Sequence, residues 1–214
     1  MVLLNPNEIS FPDPEHYHPE SGILAMGGDL SVERLLLAYE NGIFPWYNPG
    51  EEILWWSPDP RFVLFPEELR VSHSMKKILK NQVFTFTENQ CFRQVMEACM
   101  SIKRKEQDGT WISEELIESF VKLHQMGIAK SIEVWQKDEL VGGFYGLVMG
   151  NVFCGESMFS KVSNASKAGF IRFVNLHKEQ FHLIDCQSHT QHLESLGARM
   201  ISKKDYLKIL KNKS

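Results

Sequence analysis

From Ser131 onward the alternation of apolar and polar positions is regular enough to predict elements one after another. Ser131 to Trp135 reads as a strand, Gln136 to Glu139 as a turn, and Leu140 to Met149 as a second strand. Gly150-Asn151 is a tight-turn pair, and Val152 to Gly155 reads as a third strand. A helical period then covers Asn164 to His177 and leads into the short apolar strand Phe181 to Cys186. Thr190 to Leu196 and Lys203 to Leu210, the second capped by Ser202, are predicted helices. Upstream, residues 74–81 and 89–101 also carry helical spacing. Ser113 to Met126 does so most clearly, with an acidic first turn (Glu114, Glu115), an apolar side (Leu116, Ile117, Phe120, Leu123) and Gly127 as the stop. Meander, helix, strand, helix predicts an α+β domain with a largely antiparallel central sheet.

The beginning of the chain is different. Pro6, Pro12, Pro14, Pro19, Pro45, Pro49 and Pro58 crowd it, with Pro60 and Pro66 following. Each proline fixes φ and removes a donor, which leaves room for little more than one helix, capped by Ser31 and stopped at Gly42. A boundary near Pro58-Asp59-Pro60 is expected, giving a small Pro-rich domain over residues 1–62 and a larger one over 63–214. Apolar residues make up 43% and charged ones 23% of the 214 positions, so a disordered chain is excluded. No run of about 18 apolar residues occurs, so no membrane helix is expected. The N-terminus lacks the basic and apolar regions of a secretory signal. Cys91, Cys99, Cys154 and Cys186 are dispersed, which predicts reduced thiols and a cytoplasmic location.

Against a net charge of −4, one local stretch is basic: His73, Lys76, Lys77 and Lys80 recur at i, i+3, i+4 and i+7. Such a face either holds a phosphate backbone or is a solvated face over the apolar stripe Met75, Ile78 and Leu79. Trp46, Trp55 and Trp56 crowd a proline-rich loop region, and Trp111 stands between Gly109 and a helix cap. They offer a stacking wall for a base or the filling of a small core. Glu156 follows a glycine at the end of an apolar strand, where a carboxylate emerges at a sheet rim. Asp185 and Gln187 lie two apart on a strand, so both point to one face. Each of these has a plain alternative, a rim salt bridge for the first and a satisfied polar network for the second. His189 and His192, near His182 and Cys186, have a spacing that puts two imidazoles on one helical face, but no third ligand of matching spacing accompanies them. No metal is expected.

Taken together the chain resembles the leucyl/phenylalanyl-tRNA–protein transferases of bacteria. The resemblance rests on Leu24 to Ser31, Gly42 to Trp46, Leu54 to Arg61, Gly109 to Ile112 and Ser131 to Trp135, followed by Leu140 to Gly143, Phe153 to Ser160, Asn164 to Lys167 and Leu183 to Gln187. These stretches run in the family's order from about residue 11 to 207. The resemblance implies a small N-terminal domain beside one similar to the N-acetyltransferases. It implies transfer of Leu, Phe or Met from aminoacyl-tRNA to proteins beginning with Arg or Lys, which marks them for the N-degron route. It also implies a monomer with no cofactor and no membrane partner.

Residue by residue, the resemblance makes Asp185 and Gln187 the catalytic pair, with Glu156 at the reaction centre. Phe144, Phe153, Met158, Phe170, Phe173 and Ile184 become an apolar slot for the moved side chain, with Ser157 beside it. Trp46 and Trp111 hold the terminal adenosine, and His73, Lys76, Lys77 and Lys80 touch the acceptor stem. Some relatives carry Met and Leu where this chain has Phe144 and Phe170, and Arg where it has His73 and Asn81. Two other readings compete: a non-catalytic RNA-binding module built on the lysines and tryptophans, and a metal or thiol hydrolase built on residues 182–192.

Overall fold

A computed structural model describes residues 1–17, 19–102 and 110–212. Gly109 lies outside the described residues, whereas Trp111 is among them. The first sheet is built from four short strands, β1 (Val2–Leu3), β2 (Ile23–Met26), β3 (Phe44–Pro45) and β4 (Leu54–Trp56), in the order β1-β2-β4-β3. Helix α1 (Val32–Glu40) lies between β2 and β3, and the Ser31 hydroxyl accepts from the Arg34 backbone N–H as expected of its cap.

The second sheet holds seven strands in the order β11-β5-β10-β9-β8-β7-β6. Its strands are β5 (Arg61–Leu64), β6 (Thr85–Glu88), β7 (Ala129–Gln136), β8 (Glu139–Met149), β9 (Val152–Ser160), β10 (Leu183–Gln187) and β11 (Arg199–Ile201). The helices are α2 (His73–Lys80), α3 (Phe92–Ser101), α4 (Glu114–Gln125), α5 (Ala165–His177), the single turn α6 (Gln191–Glu194) and α7 (Lys203–Lys211). All pairings in this sheet are antiparallel except β9 with β10. The α+β architecture with a mostly antiparallel sheet is therefore as the sequence predicts. Four expectations need correction: the Pro-rich start holds four short strands besides its helix, β9 runs on to Ser160, the helix placed at 89–101 starts at Phe92 because β6 and its turn come first, and the helix placed at Thr190–Leu196 is the single turn Gln191–Glu194.

Both faces of the large sheet are covered, and residues alternate between two cores along each central strand. On β8, Tyr145 and Leu147 belong to a core shared with α1, α3, α4, α7 and the small sheet, while Phe144 faces a core with α2, α5 and α6. The same alternation sends Cys154 and Leu183 one way and Phe153 and Ile184 the other.

The site arises where this regular ladder fails. β9 and β10 pair only as far as Cys154 and Asp185, then separate. β9 bulges against β8, since Tyr145 faces Ser157 and Gly146 faces Gly155, leaving Glu156 as the extra residue. Gly146 is required there, because a Cβ would lie 2.2 Å from the Cys154 carbonyl oxygen. β10 bulges against β5 between Asp185 and Gln187, and Gln187 takes a left-handed φ of 60°.

Candidate active site

A cavity of about 430 Å³ opens at the separation of β9 and β10. Its apolar part is made by Phe144, Phe153, Met158, Phe170, Ile184 and Leu193, and its polar wall by Glu156, Ser157, Asp185 and Gln187. Trp46 and Trp111 line it as well. Of the residues named for the slot from sequence, Phe173 alone does not line the cavity. It stands behind, its ring centroid 5.4 Å from that of Phe144 and 4.6 Å from that of Phe153, and so sets where those rings lie. Phe144 and Phe170 approach with centroids 5.8 Å apart, which narrows the slot between β8 and α5.

The tryptophan group divides. Trp55 is fully buried and donates from Nε1 to the Gly27 carbonyl at 2.9 Å, so it fills the core of the small sheet. Trp46 is 38% exposed, and its ring lies against that of Trp56, whose Nε1 donates to the Trp46 carbonyl at 2.6 Å. That bond fixes the loop that presents Trp46 to the cavity.

Asp185 is fully buried yet amply partnered. Arg61 Nε donates to its Oδ1 at 2.8 Å and Arg61 Nη2 to its Oδ2 at 2.7 Å. The Tyr206 hydroxyl donates to Oδ2 at 2.9 Å, and the Gln187 backbone N–H to Oδ1 at 2.9 Å. A carboxylate has about four acceptor directions, and all are taken. Arg61 is itself held between the rings of Phe44 and Tyr206, each centroid 4.6 Å from Cζ, and donates from Nη1 to the Gly42 carbonyl at 3.2 Å. Asp185 and Arg61 thus form a bidentate buried ion pair, in keeping with the satisfied polar network that is the alternative reading. Sequence reasoning missed Arg61 and Tyr206 as its partners. The available signal was an arginine heading the otherwise apolar run Arg61-Phe-Val-Leu64, because a buried charge requires a partner.

Glu156 is the less satisfied carboxyl. Its Oε1 accepts from Gln187 Nε2 at 2.7 Å, while the buried Oε2 has no hydrogen-bond partner among the described residues. Although the residue touches the cavity, the carboxyl is enclosed by protein, and burial pushes its pKa up to about 8. The buried Tyr39 hydroxyl faces it without an ordinary hydrogen bond, and its own pKa rises through burial and the nearby Glu156. Burial and the neighbouring Asp185 also raise the Cys186 thiol, which lines the cavity, so it is not a ready thiolate.

The remaining sequence candidates lie apart. His73, Lys76, Lys77 and Lys80 are all exposed on α2, over buried Met75 and half-buried Ile78 and Leu79, and none lines the cavity. His189 and His192 do not share a helix face as expected, because α6 begins only at Gln191. His189 Nε2 lies 3.0 Å from Glu194 Oε2, whereas His192 lines the cavity.

The family description "leucyl/phenylalanyl-tRNA protein transferase" matches residues 63–211, and that of the N-terminal domain of the same proteins matches residues 28–59. A leucyl/phenylalanyl-tRNA–protein transferase of Flavobacterium johnsoniae is 56% identical over 207 residues, covering 96% of this chain and 97% of that one. The protein of the same name from Escherichia fergusonii is 50% identical over 212 residues, covering 98% of this chain and 89% of that one. Among solved structures, a GCN5-related N-acetyltransferase-like protein from Streptococcus suis aligns with 68% of this chain and 58% of its own, at a TM-score of 0.39 and 12% identity.

Proposed function

Because the chain belongs to the leucyl/phenylalanyl-tRNA–protein transferase family, we propose that its cavity holds the aminoacylated end of a tRNA while a protein's α-amino group attacks the ester. The enzyme is an aminoacyltransferase acting from tRNA to protein. One observation carries the detailed reading: a single cavity joins an apolar slot to the hydrogen-bonded line Glu156–Gln187–Asp185.

In this reading the amine nitrogen bonds to the ester carbonyl carbon, the bond to the ribose 3′-oxygen breaks, and that oxygen leaves with a proton. An α-amino group has a pKa of about 7.7–8.0, so removing one proton is an easy task. The ammonium's first proton goes to solvent and the second passes from the attacking nitrogen to the departing 3′-oxygen, while Glu156, behind Gln187, holds the amide in place through Oε1. Gln187 Nε2 is engaged with Glu156, which turns the amide oxygen toward the ammonium. Asp185 acts through Gln187: its bond to the Gln187 N–H holds the left-handed backbone that aims the amide. Holding amine and ester in register can contribute about 7–11 kcal/mol.

The donors are Leu, Met and Phe esters, because the slot between Phe144 and Phe170 is apolar and narrow. Trp46 and Trp111 stack on the terminal adenosine, and the α2 lysines meet the acceptor stem. Acceptors begin with Arg or Lys and are marked for the N-degron route, in the cytoplasm, by a monomer divided near residue 62 that uses no cofactor. The test is Asp185→Asn. Turnover should fall by about 100-fold or more while tRNA affinity stays within about twofold. A parallel loss of both in a variant whose circular dichroism shows the fold intact would show that Asp185 supports docking and not the reaction.

A further inference from the structure

A second cavity, of about 320 Å³, adjoins the first and shares Ser166 and His192 with it. Its other walls include Lys161, Ser163, Asn164 and Lys167, and its lining among the described residues contains no Asp or Glu. Neither lysine has an ion-pair partner among the described residues. Lys167 is half-buried, and it lies near enough to His192 that its charge, after burial, disfavours protonation of the imidazole. The His192 Nε2 atom is buried and has no hydrogen-bond partner among the described residues. A half-buried cation and a buried ring nitrogen that find no acceptor among the described residues are positioned for an acceptor that arrives with a ligand.

We propose that this second cavity binds an internucleotide phosphate of the donor RNA's 3′-end, with Lys167 and Lys161 supplying charge and His192 and the Ser163 and Asn164 side chains supplying hydrogen bonds. The inference rests on the transferase reading above. The phosphate next to the terminal nucleoside is the nearest negative charge to the ester, so a cationic pocket contiguous with the ester cavity is where it fits. The basic helix α2 belongs to the same side of the fold. Helix α2 packs against α5, whose first turn carries Lys167, and the Arg70 N–H just before α2 donates to the Leu196 carbonyl just after α6 at 2.8 Å.

The test uses the dinucleotide cytidylyl-adenosine, its methylphosphonate analogue, which has the same shape and no charge, and the intact protein. Direct binding of the two non-acylated compounds to wild type should favour the phosphodiester by about tenfold. Lys167→Ala should abolish that preference and Lys167→Arg should keep most of it. Equal binding of the two compounds by wild type, or an unchanged preference in Lys167→Ala, would overturn the proposal. Aminoacyl-adenosine, which has no phosphate, tests the transferase reading separately. If wild type fails to move its aminoacyl group to an Arg-peptide, that reading fails, while the binding comparison still decides the phosphate site.

Discussion

Asp185 accepts two of its four hydrogen bonds from Arg61, so Arg61→Met removes those bonds together with the counter-charge of a fully buried carboxylate. Breaking a buried pair from one side costs about 3–5 kcal/mol, and urea denaturation of Arg61→Met should read a loss of that order. A loss under about 1 kcal/mol would mean that Asp185 finds another partner. Glu156 gives the opposite case. Its pKa is raised from the ordinary value of 4.5 to about 8, so the folded state holds a proton that the unfolded state releases. That contribution to stability is complete below about pH 4.5 and is lost as pH rises through about 8. Glu156→Gln removes the titration. It should raise Tm relative to wild type at pH 8.5 and change it little at pH 4.5, as calorimetry at the two pH values would show. An equal change at both would mean that the Glu156 carboxyl titrates normally. These partnerships were only partly legible in the sequence. Glu156, Asp185 and Gln187 are recognisable as polar residues breaking apolar strands. Arg61 lies 124 positions from Asp185, and nothing local to either residue says that they meet.

Helices and long strands announced themselves because their apolar periods persist over eight or more residues, as in α4, β7 and β8. Strands of two to four residues, such as β1, β3 and β11, are too short to carry a period, so the small sheet and both edges of the large one were not predicted. The bulges at Glu156 and Cys186 were equally invisible, since they are set by pairing partners and not by the bulged residues. Two predictions belong to elements. On α5, Phe170→Leu removes ring volume opposite Phe144, so the Phe/Leu ratio of kcat/KM should rise. A competition between Leu-tRNA and Phe-tRNA for one Arg-peptide measures it, and a ratio moving toward Leu would contradict the placement of Phe170 in the slot. Discrimination of this kind is worth only about 1–3 kcal/mol, so the shift should lie within about two orders of magnitude. On α2, replacing Lys76, Lys77 and Lys80 by Ala should flatten the salt dependence of tRNA binding, each lost phosphate contact lowering the log–log slope by somewhat under ~1. An unchanged slope would make α2 a solvated face.

At the scale of the whole molecule, both ends of the chain converge on the central separation of β9 and β10. Phe44, Pro45 and Trp46 from the small sheet's side line the cavity, and Tyr206 from α7 closes the polar network below it. The central claim is that this assembly forms a peptide bond between a tRNA-borne aminoacyl group and a protein N-terminus. The most direct measurement mixes Leu-tRNA, a peptide beginning with Arg and the purified protein, and follows the peptide by mass spectrometry. The peptide should gain the mass of one leucyl residue at its N-terminus, and the same peptide with an acetylated N-terminus should gain none. An unmodified Arg-peptide beside deacylated tRNA would show that the cavity delivers the ester to water, and would contradict the account.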